Sequence, residues 1–394
     1  MVMFQKIRIL AAALFMGVVV HAAHAQHAGH RGHSKNQLGS SAVFDARGNL
    51  WAVTKEGPHV VVRRSGDLGR SWSAPRRVND APEAVGADGD ARPKIAIGNG
   101  GELYVTWTQP LAKPYTGHIR FGRSLDLGKT FSTPVTINTD RQEITHRFDA
   151  ITVTGTGKIF IAWVDKRDQV AVTKSKGGEY PGAAIYFAVS EDRGATFRGD
   201  YKLADHSCEC CRIALLPMPD HSVLAMWRHV FRPNIRDHAL ARMEDSGRRS
   251  ELTRVTFDDW RIDACPHHGP SLVADNAGRL HAVWFTQGPN ASGVFYGRVG
   301  GEGVAGKRRV GGDTAEHADL ASAGRSLAIA WKEFDGERSR LRAMVSRDAG
   351  EKWAEHELGA TAGPSDQPRV LQRQGRFYAF WNTSREPLSV FPIP

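Results

Sequence analysis

All four cysteines of this 394-residue chain fall in two short stretches, Cys208-Glu209-Cys210-Cys211 and Cys265-Pro266-His267-His268. Thiolates and imidazoles are soft to borderline donors, so the two stretches together offer ligands for copper or zinc. His146 and His317 occupy matching places in neighbouring repeats. The candidate metal set is therefore Cys208, Cys210, Cys211, Cys265, His267, His268, His146 and His317. Copper is the expected ion, because a mixed sulfur and nitrogen set tolerates both Cu(I) and Cu(II), while four of these side chains would also satisfy a tetrahedral Zn(II). The competing reading is a disulfide from Cys265 to one of the three earlier thiols. Bridges among Cys208, Cys210 and Cys211 themselves would be strained and labile, because the residues are too close along the chain.

A second set, Arg92, Arg147, Arg212 and Arg369, has the chemistry to hold an acidic substrate, since a guanidinium fork meets a carboxylate with two parallel hydrogen bonds. Isolated histidines such as His221, His229 and His281 read as ordinary surface or packed residues.

The elements that must position these residues come from a repeat. An apolar strand, a turn and a second apolar strand ending in tryptophan recur at intervals of roughly 50–60 residues. The second strands run Leu50–Thr54, Leu103–Trp107, Ile159–Trp163, Val223–Trp227, Leu280–Trp284, Leu327–Trp331 and Phe377–Trp381, with Thr54 in place of the tryptophan in the first. That spacing suits one four-stranded antiparallel sheet per repeat. Helical periodicity is absent after the N-terminal segment, which excludes alternating α/β units. The expected fold is all-β, a single β-propeller over residues 41–394, whose closed ring leaves few exposed sheet edges. Loops leading into the first strand of each repeat then share one face near the axis. The candidate cysteines, histidines and arginines all lie in those loops.

Four repeats add a Ser-x-Asp-x-Gly-x-Ser/Thr-Phe/Trp pattern, or a close variant, at Ser65–Trp72, Ser124–Phe131, Ser190–Phe197 and Ser346–Trp353. The pattern resembles the Asp box of the sialidase superfamily, and the resemblance covers nearly all of the chain after the leader. Its residues suit a structural turn: the aspartate accepts turn amides, the glycine takes positive φ and the aromatic plugs between sheets. Seven repeats point to seven blades, the short C-terminal one completed by an N-terminal strand, whereas the sialidases that share the box are typically six-bladed. The resemblance implies exo-α-sialidase activity, which requires an arginine cluster, a tyrosine nucleophile with a glutamate base, and an aspartic acid. The arginines are present, but Ala91-Arg92-Pro93 and Arg212-Ile213-Ala214 depart from the Arg-Ile-Pro order of that family. Tyr115 and Tyr180 are the tyrosines in loops of the same face, Tyr378 lies inside a strand, and no glutamate is marked as partner.

Residues 1–25 read as an export signal: Lys6 and Arg8 precede an apolar run that ends at Ala23-His24-Ala25. Residues 26–40, with His27, His30 and His33, read as a flexible tail able to collect metal weakly. The expected location is periplasmic or secreted, with no transmembrane segment after signal removal. The formal charge of +10 is compatible with an acidic partner, but the basic residues are dispersed, which argues against nucleic acid. These residues point first to an exported sialidase-like propeller that binds copper through the Cys-x-Cys-Cys and Cys-Pro-His-His loops, in metal handling or redox chemistry. The alternatives are an exo-α-sialidase-like hydrolase and a non-catalytic propeller that binds a glycan or an envelope protein.

Overall fold

The computed structural model describes residues 37–394 apart from 176, 177 and 265. Cys265 and residues 1–36, which include the expected export signal and His27, His30 and His33, lie outside the described residues. No described helix is long and apolar enough to cross a membrane.

Among the described residues the strands form four four-stranded antiparallel sheets, one eight-stranded sheet and one three-stranded sheet. The eight-stranded sheet is two four-stranded units joined where Ser207 pairs with His229. The innermost strands are Ser41–Phe44, Lys94–Ile97, His146–Val153, Ala214–Pro217, Ser271–Ala274, Glu316–Ala323 and Arg369–Arg373. They touch one another in chain order, and the last returns to the first, so the units close into a β-propeller ring. Repeat tryptophans Trp107, Trp163, Trp227, Trp284, Trp331 and Trp381 are fully buried between units. Most keep the indole N–H satisfied, as where Trp163 donates to Asp165 at 2.9 Å and Trp284 to Asp258 at 2.8 Å.

Two expectations are corrected. The three-stranded unit is not completed by an N-terminal strand, because Ser41–Phe44 pairs with Leu50–Glu56 in its own sheet. The outermost strand Ser389–Ile393 carries Pro392, which lacks an N–H and suits an uncovered edge. Closure instead uses residues ahead of Ser41: Ser40 donates its amide and hydroxyl to Asp366 at 2.7 and 3.0 Å, and Asn382 donates to the Leu38 carbonyl at 2.8 Å. The long loop following Asp165 also contains a short helix, Arg167–Lys174.

The four Ser-x-Asp-x-Gly segments are turns of one design. In the second, Ser124 donates to Asp126 at 2.7 Å and Thr130 donates both amide and hydroxyl to the same carboxylate at 3.0 and 2.6 Å. Leu127 and Gly128 take φ of 60° and 75°, and a Cβ on Gly128 would fall 2.8 Å from the Trp51 ring of the preceding unit. The box thus turns the chain and seats it against its neighbour. The hydroxyl and amide of Ser71, with Ser65, hold Asp67 at about 2, below its ordinary 3.8. A carboxylate with a depressed folded pKa stabilises fully above its unfolded value and loses that contribution as pH falls through the folded one. The stabilisation from Asp67 should therefore fade from pH 3.8 down to about 2. In urea unfolding, Asp67→Asn should lose less stability than wild type across that window, and parallel curves would refute the assignment.

Candidate metal centre

The inner strands and the segments leading into them deliver four cations and four carboxylates to the axis, and these pair one to one. Arg92 meets Asp366 at 3.1 Å, Lys94 meets Asp149 at 3.7 Å, Arg212 meets Asp90 at 3.7 Å, and Arg369 meets Asp319 at 3.4 Å. Arg92 also donates to the Ser40 carbonyl at 2.8 Å and to the Gln367 side chain at 2.7 Å. Arg212 donates to the carbonyls of Pro270, at 2.8 Å, and Ala318. The axial cavity, about 260 Å³, is lined by Asp90, Arg92, Lys94, Arg212, Asp319 and Arg369 among others. Its charges are compensated internally, so Arg92 and Arg212, both buried, fasten blades together rather than present open forks. Arg369 keeps about a third of its side chain exposed, and the Arg147 guanidinium lies 5.0 Å over the Phe148 ring.

The cysteines lie between the strands Arg198–Ser207 and Ala214–Pro217. Cys208, Cys210 and Cys211 are buried, and their sulfur atoms lie within 4.8 Å of one another. Cys208 Sγ is 3.9 Å from that of Cys210 and 3.7 Å from that of Cys211, far beyond a bonded pair at ~2 Å. Hydrogen bonds from Cys210 and Cys211 hold the Cys208 thiol well below its ordinary pKa against the opposing effect of burial, and Arg228 and Arg236 add to this. The same contact pushes the Cys211 thiol up, because its proton is held on the Cys208 sulfur.

Three groups behind this cluster, Arg236, Arg228 and His238, are absent from the candidate set drawn from the sequence. Arg236 donates to Cys208 Sγ at 3.7 Å. Arg228, fully buried, stacks 4.7 Å over Trp260 and donates to the carbonyls of Arg236, His268 and Phe285 at 3.1, 2.8 and 2.8 Å; its own carbonyl accepts the Cys208 amide at 2.9 Å. His238, directly across the strand pair from Arg228, bonds Thr256 through Nδ1 at 3.2 Å and has no hydrogen-bond partner at Nε2. Burial, then Arg228, pushes its pKa well down, so it is neutral at pH 7. A charged residue following the repeat tryptophan was the available signal for Arg228.

The expected histidines divide. His268 does not join the sulfur cluster; it groups instead with Glu316 and His317, the donor atoms again within 4.8 Å. Burial, with His317 adjacent, pushes the His268 pKa well below its ordinary value. His267 turns toward Phe148, with ring centroids 6.1 Å apart. His146 is corrected outright: fully buried, it donates from Nδ1 to the Gly117 carbonyl at 2.9 Å and points Nε2 between Asp140 and Asp165 at 3.6 and 3.7 Å, a polar cluster of its own. The physical reason is a bulge in His146–Val153, with φ of 56° at Phe148, which re-aims the start of that strand. As for the tyrosines, Tyr115 is exposed, whereas the Tyr180 hydroxyl donates to Asp205 at 2.6 Å; burial and that carboxylate push its pKa up, away from a nucleophile's needs.

No family model matches this chain, and no curated protein matches it. Solved structures do share its fold. A PL25 ulvan lyase superposes with a TM-score of 0.55 at 10% identity, over 89% of this chain and 90% of that one. The α-L-arabinofuranosidase arb93a of Fusarium graminearum, in a variant bound to an iminosugar inhibitor, matches with a TM-score of 0.50 at 14% identity, over 79% and 92%. A variant of the NanB sialidase of Streptococcus pneumoniae matches at only 0.45 and 8% identity, over 90% and 66%, and bears no argument. At these identities the likeness establishes a β-propeller of the kind that glycan-processing enzymes carry, and no more.

Proposed function

We propose that the protein is an exported metal-handling propeller that binds Cu(I) through Cys208, Cys210 and Cys211. One observation carries the reading: three buried sulfur atoms from one loop within 4.8 Å. Soft thiolates in a three-sulfur set suit Cu(I), whereas Zn(II) calls for a fourth ligand. Three thiolates around a monovalent ion leave two negative charges, and Arg228 and Arg236 supply the offset. Export rests on the N-terminal 25 residues, and the histidines of residues 26–40 would gather metal ahead of the buried site.

A second reading is glycan processing on the same face. It is favoured by the shared fold with the ulvan lyase, reported bound to -[GlcA(1-4)Rha3S]-, and by the partly exposed Arg369 and Arg147, which could meet an acidic sugar. Sialoside hydrolysis belongs to this reading. The test is anaerobic Cu(I) binding against a competing Cu(I) chelator, for wild type and Cys210→Ser/Cys211→Ser. One equivalent retained by wild type and lost in the variant supports the copper reading; no retention by either overturns it. Turnover of sialosides or uronic-acid glycans that survives unchanged in the variant establishes the glycan reading independently.

A further inference from the structure

We infer that His268, Glu316 and His317 form a second metal site, distinct from the sulfur cluster, which takes a divalent borderline ion of the Zn(II) class and leaves it open to solvent. The donor atoms of the three residues lie within 4.8 Å of one another. His317 Nε2 and Glu316 Oε2 are 3.5 Å apart, close to the ~3.3 Å between two ligands on one tetrahedral ion with bonds near 2.0–2.1 Å. The imidazoles of His268 and His317 face each other with centroids 4.4 Å apart and planes 24° apart. Two rings on one tetrahedral ion through bonds of ~2.1 Å would have centroids ~5.3 Å apart, so the pair has to open by about 1 Å to take the ion.

The backbone is shaped to produce this convergence. Neighbouring residues of a regular strand point to opposite faces, so Glu316 and His317 could not share a ligand. Here the pairing of Glu316–Ala323 with its partner strand slips between Glu316 and Asp319, and His317 sits at φ 55°. A non-glycine residue is strained there, and such strain concentrates at ligand clamps. The other residues hold the set still. His268 is stacked on Phe285, centroids 4.1 Å apart, and its carbonyl is fixed by Arg228 at 2.8 Å. Lys332 contacts Glu316 Oε1 at 3.2 Å, orienting the carboxylate and leaving Oε2 toward His317. His268 Nδ1 is buried with no hydrogen-bond partner, an otherwise costly state that a metal bond would relieve.

Two imidazoles and one carboxylate are the donor set of open, three-ligand zinc sites, which keep a position for water. Glu316 keeps 38% of its side chain exposed and His317 10%, so solvent reaches the set from the carboxylate side. Nitrogen and oxygen donors prefer a divalent ion, whereas the buried sulfurs prefer Cu(I), and the two sites sort metals by softness.

Co(II) separates them, because thiolate ligation adds intense sulfur-to-metal charge-transfer absorption that nitrogen and oxygen ligands lack. In full-length Cys210→Ser/Cys211→Ser, one equivalent of Co(II) should bind with visible d–d bands and no thiolate band, and Zn(II) should displace it. His268→Ala/His317→Ala in that background should abolish the d–d bands. Glu316→Gln, which keeps shape and hydrogen bonding, should weaken Co(II) binding at least ~10-fold with the far-UV circular dichroism unchanged. The proposal is overturned if the cysteine variant binds no Co(II), or if Glu316→Gln and the double histidine variant both bind it as the cysteine variant does. Failure of Cu(I) binding at the cysteines would leave these outcomes unaffected.

Discussion

Replacing Arg228 with methionine is expected to destabilise the fold by about 3–5 kcal/mol, the range for stripping one charged partner from a buried network. Methionine fills part of the volume, so the loss is polar. The guanidinium satisfies three carbonyls, those of Arg236, His268 and Phe285, and covers the Trp260 ring. With it gone, each carbonyl not reached by water costs ~1–3 kcal/mol. The Cys208 thiol should also become harder to ionise, because Arg228 is one of the groups holding its pKa down. Equilibrium urea unfolding checks the first effect, and the pH midpoint of thiolate ultraviolet absorbance checks the second. A stability loss below ~1 kcal/mol, the level of an exposed pair, would show that Arg228 does not hold its strand and the Cys208 and His268 loops together.

Gly269→Ala is the second large effect, expected at about 2–3 kcal/mol with a simultaneous loss of Cu(I) affinity. A Cβ on Gly269 would lie 2.6 Å from the Arg212 amide nitrogen and 2.8 Å from its carbonyl oxygen, so backbone has to move. The two segments are bolted there: the amides of Arg212 and Gly269 both donate to Asp90, at 3.3 and 3.4 Å. Forcing them apart displaces the loop carrying Cys210 and Cys211 on one side and His268 on the other. Thermal unfolding with the Cu(I) competition assay reads both. An alanine variant that melts and binds as wild type does would remove the close approach from the account of the site.

How far these sites were legible follows from how local their causes are. The cysteine triplet could be read from Cys208-Glu209-Cys210-Cys211, because residues one to three apart on a single loop cannot stray far from one another. Pairing it with His268 failed, since the chain between residues 211 and 268 passes through a whole sheet whose exact rotation is set by packing. Arg92 and Arg212 lie in loops and Arg147 and Arg369 in inner strands, and the partners Asp366, Asp90 and Asp319 could not be chosen from sequence: Arg92 and Asp366 meet only because the last unit closes on the first.

The repeat of apolar strands, the tryptophan at each second-strand end and the Asp-box turns were determined by sequence alone. Alternation, β-branched and aromatic content, and a Ser-Asp-Gly turn act over a few residues, and Asp126 bonds Ser124 and Thr130 within its own loop. Tertiary structure decided the rest. A bulge at His317 turned adjacent side chains onto one point, the buried Arg228 tied Cys208 to the His268 loop, and ring closure paired Arg92 with Asp366, 274 residues away. Charges and donors of that kind act through space, and their distances exist only once the ring is packed.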